Sequence, residues 1–121
     1  MASFDTDTLR LLQTVPEVRI RTEKHPDTAV ITWVVTAEDG VYVRSVRGAK
    51  GRWYQDLKAG GPAMLEVQGR QIAVQAIPAA DAQSIDCASR EYLSKYRSSP
   101  YAEPMVRAEV LTTTLRLEPR T

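Results

Sequence analysis

From Glu17 to Glu23 the chain alternates, with Val18, Ile20 and Thr22 on one side and Arg19, Arg21 and Glu23 on the other. A period of two predicts a strand with one face in the core. His25-Pro26-Asp27 has turn chemistry, and Ala29 to Thr36 (AVITWVVT) is then β-branched and almost wholly apolar. That run predicts a central strand covered on both faces. Glu38-Asp39-Gly40 predicts a tight hairpin into Val41 to Arg47, where alternation resumes. Ala63 to Gln68 and Gln71 to Pro78 predict a second hairpin around Gly69-Arg70, with Leu65, Val67, Ile72 and Val74 turned to the core. Val110 to Leu117, rich in threonine, predicts a final strand.

Between these runs the spacing becomes helical. Asp5 or Thr6 can cap a short helix carrying Leu9, Leu11 and Leu12, which ends before Pro16. Arg52 to Ala59 places Trp53 and Leu57 on one face and closes at Gly60-Gly61-Pro62. Asp81 can cap a longer helix to about Tyr96, whose Ala82, Ile85, Ser89, Tyr92, Leu93 and Tyr96 follow three-and-four spacing. About six antiparallel strands in so short a chain leave aggregation-prone edges unless the sheet closes on itself. The expected fold is therefore mainly β (α+β): a split β-barrel with two or three flanking helices, forming one domain over residues 1–121.

Composition removes several function classes. Sixteen Lys and Arg stand against 15 Asp and Glu, a net charge of +1, which gives no general attraction for nucleic acid or an anionic membrane. One cysteine, Cys87, excludes an intrachain disulfide and the cysteine clusters of structural zinc, and no metal ligand is expected. The acidic N-terminus and the lack of a bilayer-length apolar run predict a cytoplasmic protein without membrane contact. There is no Walker loop, no Gly-x-Gly-x-x-Gly and no His-Glu-x-x-His, and the single histidine argues against a Ser-His hydrolase.

Against this neutral background Arg44, Arg47, Lys50 and Arg52 fall close together, astride a loop containing Gly48 and Gly51. Glycines before a helix let an anion approach backbone N–H groups, so phosphate binding is physically reasonable here. The same arginines would also serve as the solvent face of an amphipathic strand. Trp53 suits core packing, and Tyr54 could stack on a flat ring or pack.

Tyr42 to Val67 (YVRSVRGAKGRWYQDLKAGGPAMLEV) resembles the deazaflavin-dependent nitroreductase family of the FMN-binding split β-barrels. There a strand ends in Ser before a basic, Gly-containing loop, and Trp-Tyr-x-Asn-Leu-x-Ala opens the next element. Ser45, Gly48, Trp53, Tyr54, Leu57, Lys58 and Ala59 match, and Leu115 to Pro119 follows in the family's order. Ile31 to Val35 (ITWVV) is similar to a smaller, uncharacterised branch of these reductases.

The resemblance implies that Arg44, Ser45, Arg47, Gly48, Lys50, Arg52 and Trp53 bind a cofactor, FMN or a deazaflavin. The implied function is an oxidoreductase acting on a small organic acceptor, with a non-catalytic small-ligand binding module on the same barrel as the alternative. It also implies a homodimer with the ligand near the subunit interface. Nucleic acid is not an expected partner. Two positions depart from the pattern. Asp56 replaces Asn, and Thr22-Glu23-Lys24-His25-Pro26-Asp27 replaces a Gly-Arg-Lys-x-Gly turn that helps hold phosphates. Asp56 then needs compensation, expected from Arg47 or Arg52. Lys24 and His25 could act for the missing turn or form a solvated hairpin tip. No proton donor is assigned, with Tyr42, Tyr54, Tyr92, Tyr96 and Tyr101 as candidates.

Overall fold

A computed structural model describes residues 4–37, 40–79 and 81–120. The Asp5 carboxylate accepts a hydrogen bond from the Thr8 N–H at 3.1 Å and starts helix α1, Thr6–Thr14. Strand β1, Val18–Thr22, keeps the predicted alternation, burying Val18, Ile20 and Thr22. Strands β2 (His25–Thr32), β3 (Val34–Ala37) and β4 (Gly40–Val43) follow. After a 3-10 turn at Gly48–Lys50 come helix α2 (Arg52–Leu57) and strands β5 (Gly61–Val67) and β6 (Arg70–Pro78). Helix α3 (Ala82–Lys95), a 3-10 turn at Glu103–Val106, helix α4 (Ala108–Leu111) and strand β7 (Leu115–Pro119) complete the order.

The strands form one antiparallel seven-stranded sheet in the order β2-β1-β5-β6-β7-β4-β3. The two outermost strands are consecutive in the chain, for only Trp33 separates Thr32 of β2 from Val34 of β3. A sheet whose opposite edges are joined through one residue must curl until they meet, and the result is a half-barrel with flanking helices. Its interior is lined by Val18, Ile20, Val34, Val41, Val43, Leu65, Val74, Leu115 and Leu117, and α1 contributes Leu12.

A second apolar layer lies outside the barrel. Helix α3 lays Ala88, Tyr92 and Tyr96 over Val35, Ala37 and Tyr42. Its side chains also cover the β3 edge, where the Tyr92 hydroxyl reaches Trp33 O at 3.4 Å and the Lys95 ammonium donates to Val34 O at 2.6 Å and Leu12 O at 2.9 Å. Exposed strand edges recruit other chains, and these bonds blunt one of them. Burial pulls Lys95 down to about 8 and pushes Tyr96 up to about 12. The Trp33 and Tyr96 rings stack in parallel at 3.8 Å.

Several expectations are corrected. The run from Ala29 to Thr36 is two strands at opposite sheet edges, and only the Val34–Ala37 part is buried on both faces, because α3 covers the side facing away from the barrel. His25, Pro26 and Asp27 open β2, and the turn falls on Glu23 and Lys24. The second hairpin turns at Gln68-Gly69, both at positive φ (48° and 79°) as a two-residue hairpin requires. Val110 belongs to α4, so the last strand begins at Leu115. On α3, Ala82 and Leu93 face outward and Ala88 occupies the buried stripe. Glu38 and Asp39 of the predicted hairpin lie outside the described residues, although Ala37 and Gly40 on either side pair as expected. No helix among the described residues is long and apolar enough to cross a membrane.

Candidate functional site

The β4 strand stops at Val43, and the next residues turn in opposite directions. Arg44 is fully buried in the outer layer. Its Nε donates to Thr114 Oγ1 at 2.8 Å, Nη1 to Met105 O at 3.1 Å and Nη2 to Ile85 O at 2.8 Å, while its guanidinium carbon lies 5.3 Å from the centre of the Tyr92 ring. Burial holds its pKa below the usual arginine value. This cation ties the end of β4 to α3, the 3-10 turn at Glu103–Val106 and the α4–β7 connection, and its bonds are spent inside the protein.

Ser45 is buried too, and its N–H donates to Thr113 Oγ1 at 3.0 Å, whose hydroxyl donates in turn to Val110 O at 2.6 Å. Gly48 donates back to Ser45 O at 2.9 Å and sits at φ +67°, a conformation glycine adopts without strain. Gly51 passes so close to Ser45 that a Cβ on it would lie 2.3 Å from Ser45 Oγ. The loop is thereby folded tightly on itself and pinned to the α4–β7 connection.

On the outside of this loop stand Arg47, Lys50 and Arg52, all exposed, and none of them forms an ion pair among the described residues. Val46, 55% exposed, lies beside them. Trp53 turns inward to the barrel core, as its size suggested, and meets Tyr54 edge-on at 6.4 Å. Tyr54 is half-buried, its hydroxyl 3.4 Å from Thr112 O. Of the seven residues singled out in the sequence, three cations are thus gathered on the surface. Ser45 and Gly48 shape the loop beneath them, and Arg44 and Trp53 point into packed layers. Helix α2 has only six residues, so the cationic side chains, rather than a helix dipole, dominate the local field.

A second group lies further along α2. The Asp56 carboxylate, its side chain 9% exposed, accepts from Thr22 Oγ1 at 2.7 Å and lies 2.6 Å from Nδ1 of His25. Burial alone would raise its pKa, but those two hydrogen bonds and the nearby charges of His25 and Lys24 outweigh burial and hold it below the ordinary aspartate value. Asp56 is therefore compensated by the β1–β2 connection and not by Arg47 or Arg52. The two segments singled out in the sequence meet: the Asp56 carboxylate on α2 binds His25 at the start of β2. Nothing in local spacing could reveal this pairing across 31 residues.

Two polar concavities, of about 320 and 570 Å³, lie elsewhere, one beside the β5–β6 turn and one at the end of α3. Residues 8–117 match the family described as "Uncharacterized protein conserved in bacteria (DUF2255)". The chain belongs to that family. No curated protein matches it. Among solved structures, the flavocytochrome Anf3 from Azotobacter vinelandii is similar in fold, with a TM-score of 0.59 and 16% sequence identity over 99% of this chain and 69% of that one. At this identity the likeness speaks for the half-barrel alone.

Proposed function

We propose that the protein binds a flavin-type cofactor, FMN or a deazaflavin, and serves as an oxidoreductase toward a small organic acceptor. The observation that carries this reading is the trio Arg47, Lys50 and Arg52, without ion-pair partners among the described residues and held together on a loop fixed by Ser45, Gly48 and Gly51. Cations without protein counter-ions attract a phosphate by charge-assisted hydrogen bonds, and arginine can do so bidentately. Two further observations support it: the half-barrel resembles that of a flavocytochrome, and Tyr42 to Val67 resembles the deazaflavin-dependent nitroreductases. Arg44 and Trp53 then act indirectly, Arg44 by holding the strand end and Trp53 by seating α2.

Because Arg47, Lys50 and Arg52 are exposed, a flat ring system held beside them needs a second wall. We assign that wall to a second copy of the chain, consistent with the homodimer expected from the resemblance. Quenching of FMN or deazaflavin fluorescence on titration with protein tests the cofactor. Binding that weakens at least about tenfold in R47A/R52A, and that weakens with added salt, is the expected result. Full affinity in that variant, or no affinity for either compound in the parent, would overturn it. Sedimentation of the loaded protein tests the dimer.

A further inference from the structure

A two-electron reduction of an organic acceptor needs a proton as well as a hydride, and the tyrosines are poorly placed to give one. Tyr42, Tyr92 and Tyr96 are buried in the outer layer under α3, and burial raises the pKa of both Tyr92 and Tyr96. The Tyr54 hydroxyl points at a backbone carbonyl, and Tyr101 is 67% exposed beyond α3. An acid–base pair, His25 and Asp56, lies on α2 and the strand beside it. Asp56 lies four residues after Arg52 on α2, and residues so spaced share a helix face.

An ionised carboxylate can only accept, so the His25 nitrogen 2.6 Å from Asp56 carries the proton in either charge state of the ring. Thr22, donating to the same carboxylate oxygen, fixes the carboxylate in turn. The remaining nitrogen, Nε2, has no hydrogen-bond partner among the described residues, and the His25 side chain is 41% exposed. A buried acid that orients an imidazole and leaves its far nitrogen free is the arrangement that proton-transfer histidines require.

We propose that His25, oriented by Asp56 and Thr22, is the proton donor of the site. This rests on the cofactor reading above. A bound flavin-type cofactor would supply the hydride; the doubly protonated His25 ring gives its Nε2 proton to the acceptor and is left as the neutral Nδ1–H tautomer. The acceptor gains two electrons, the cofactor is oxidised by two, and the neutral imidazole regains its proton from water through its exposed edge. His25 touches the acceptor in this scheme, whereas Asp56 and Thr22 are positioning residues.

His25 is the only histidine, so its ring nitrogens give a single set of resonances in long-range 1H–15N spectra of the intact protein. The neutral ring is expected to be the Nδ1–H tautomer, and D56N to mix the two tautomers. In protein loaded with reduced FMN, H25Q is expected to slow reduction of 2-cyclohexen-1-one about 100-fold, the usual contribution of a positioned acid. FMN affinity should be unchanged, as should oxidation by ferricyanide, which takes electrons without a proton. A neutral ring with its proton on Nε2, or H25Q that slows both oxidants equally or neither, overturns the assignment while leaving the cofactor reading intact. Failure of the parent protein to bind FMN or a deazaflavin overturns both.

Discussion

Removing the Arg44 guanidinium should cost stability well before it affects ligand binding. Arg44→Ala removes three hydrogen bonds, to Met105 O, Ile85 O and Thr114 Oγ1, at about 1 kcal/mol each. It also deletes two buried methylenes, about 1.5 kcal/mol of apolar contact. Relief of an arginine desolvated with no carboxylate partner among the described residues offsets part of this, as the downward shift of its pKa indicates. A net loss of about 3 kcal/mol follows, which at this chain length lowers the melting temperature by about 12 °C. Arg44→Met keeps the methylenes and should lose about 2 kcal/mol. Urea unfolding at constant slope measures both variants, and FMN titration at a temperature where they remain folded should give parental affinity. An Arg44→Met protein as stable as the parent would refute the reasoning, because it would mean that the cost of burying the charge equals everything its hydrogen bonds contribute. Folded Arg44→Ala that no longer binds FMN would refute it from the other side and make Arg44 a ligand contact.

Two further outcomes follow from the geometry. Gly51→Ala places a methyl 2.3 Å from Ser45 Oγ and should destabilise by about 1–2 kcal/mol, much of it recovered in the Ser45→Ala background, where the hydroxyl is gone; a double-mutant cycle by thermal unfolding measures the coupling. Lys95, pulled down to about 8 in the fold from 10.5, binds fewer protons folded than unfolded between those values, so stability relative to Lys95→Met should rise as pH increases from about 8 to 10. The full shift corresponds to about 3 kcal/mol, and solvent screening of a partly exposed ammonium reduces the expected gain to the order of 1 kcal/mol; a difference that stays flat over that range would disprove the depressed value.

Much of the framework was legible because local chemistry dictated it. Asp5 and Asp81 each accept from the N–H three residues on, and β1 alternates without exception. Where the reading failed, the deciding contacts came from distant segments. Val34–Ala37 looks like a central strand because both its faces are buried, yet one of those faces is covered by a helix nearly fifty residues downstream. The threonines at 112–114 have strand propensity, but Thr113 and Thr114 turn their hydroxyls back onto Val110 O and Leu111 O, which ends α4 instead. Arg44 falls on the side of VYVRSVR opposite Val43, a side that alternation alone marks as solvent, and α3 makes it interior. In the candidate site the cluster Arg47, Lys50 and Arg52 is visible as a local run, whereas the contact of His25 with Asp56 depends on how β1 and β2 lie against α2.

Strand β7 sits between β6 and β4 near the middle of the sheet, although it is the last of the seven to be synthesised. Until Leu115–Pro119 has left the ribosome, β2-β1-β5-β6 and the β3–β4 hairpin share no ladder hydrogen bonds, and β6 and β4 each show a bare edge. A nascent chain therefore holds two incomplete sheets whose shared partner strand has yet to arrive, and during that interval those edges are open to pairing with another molecule.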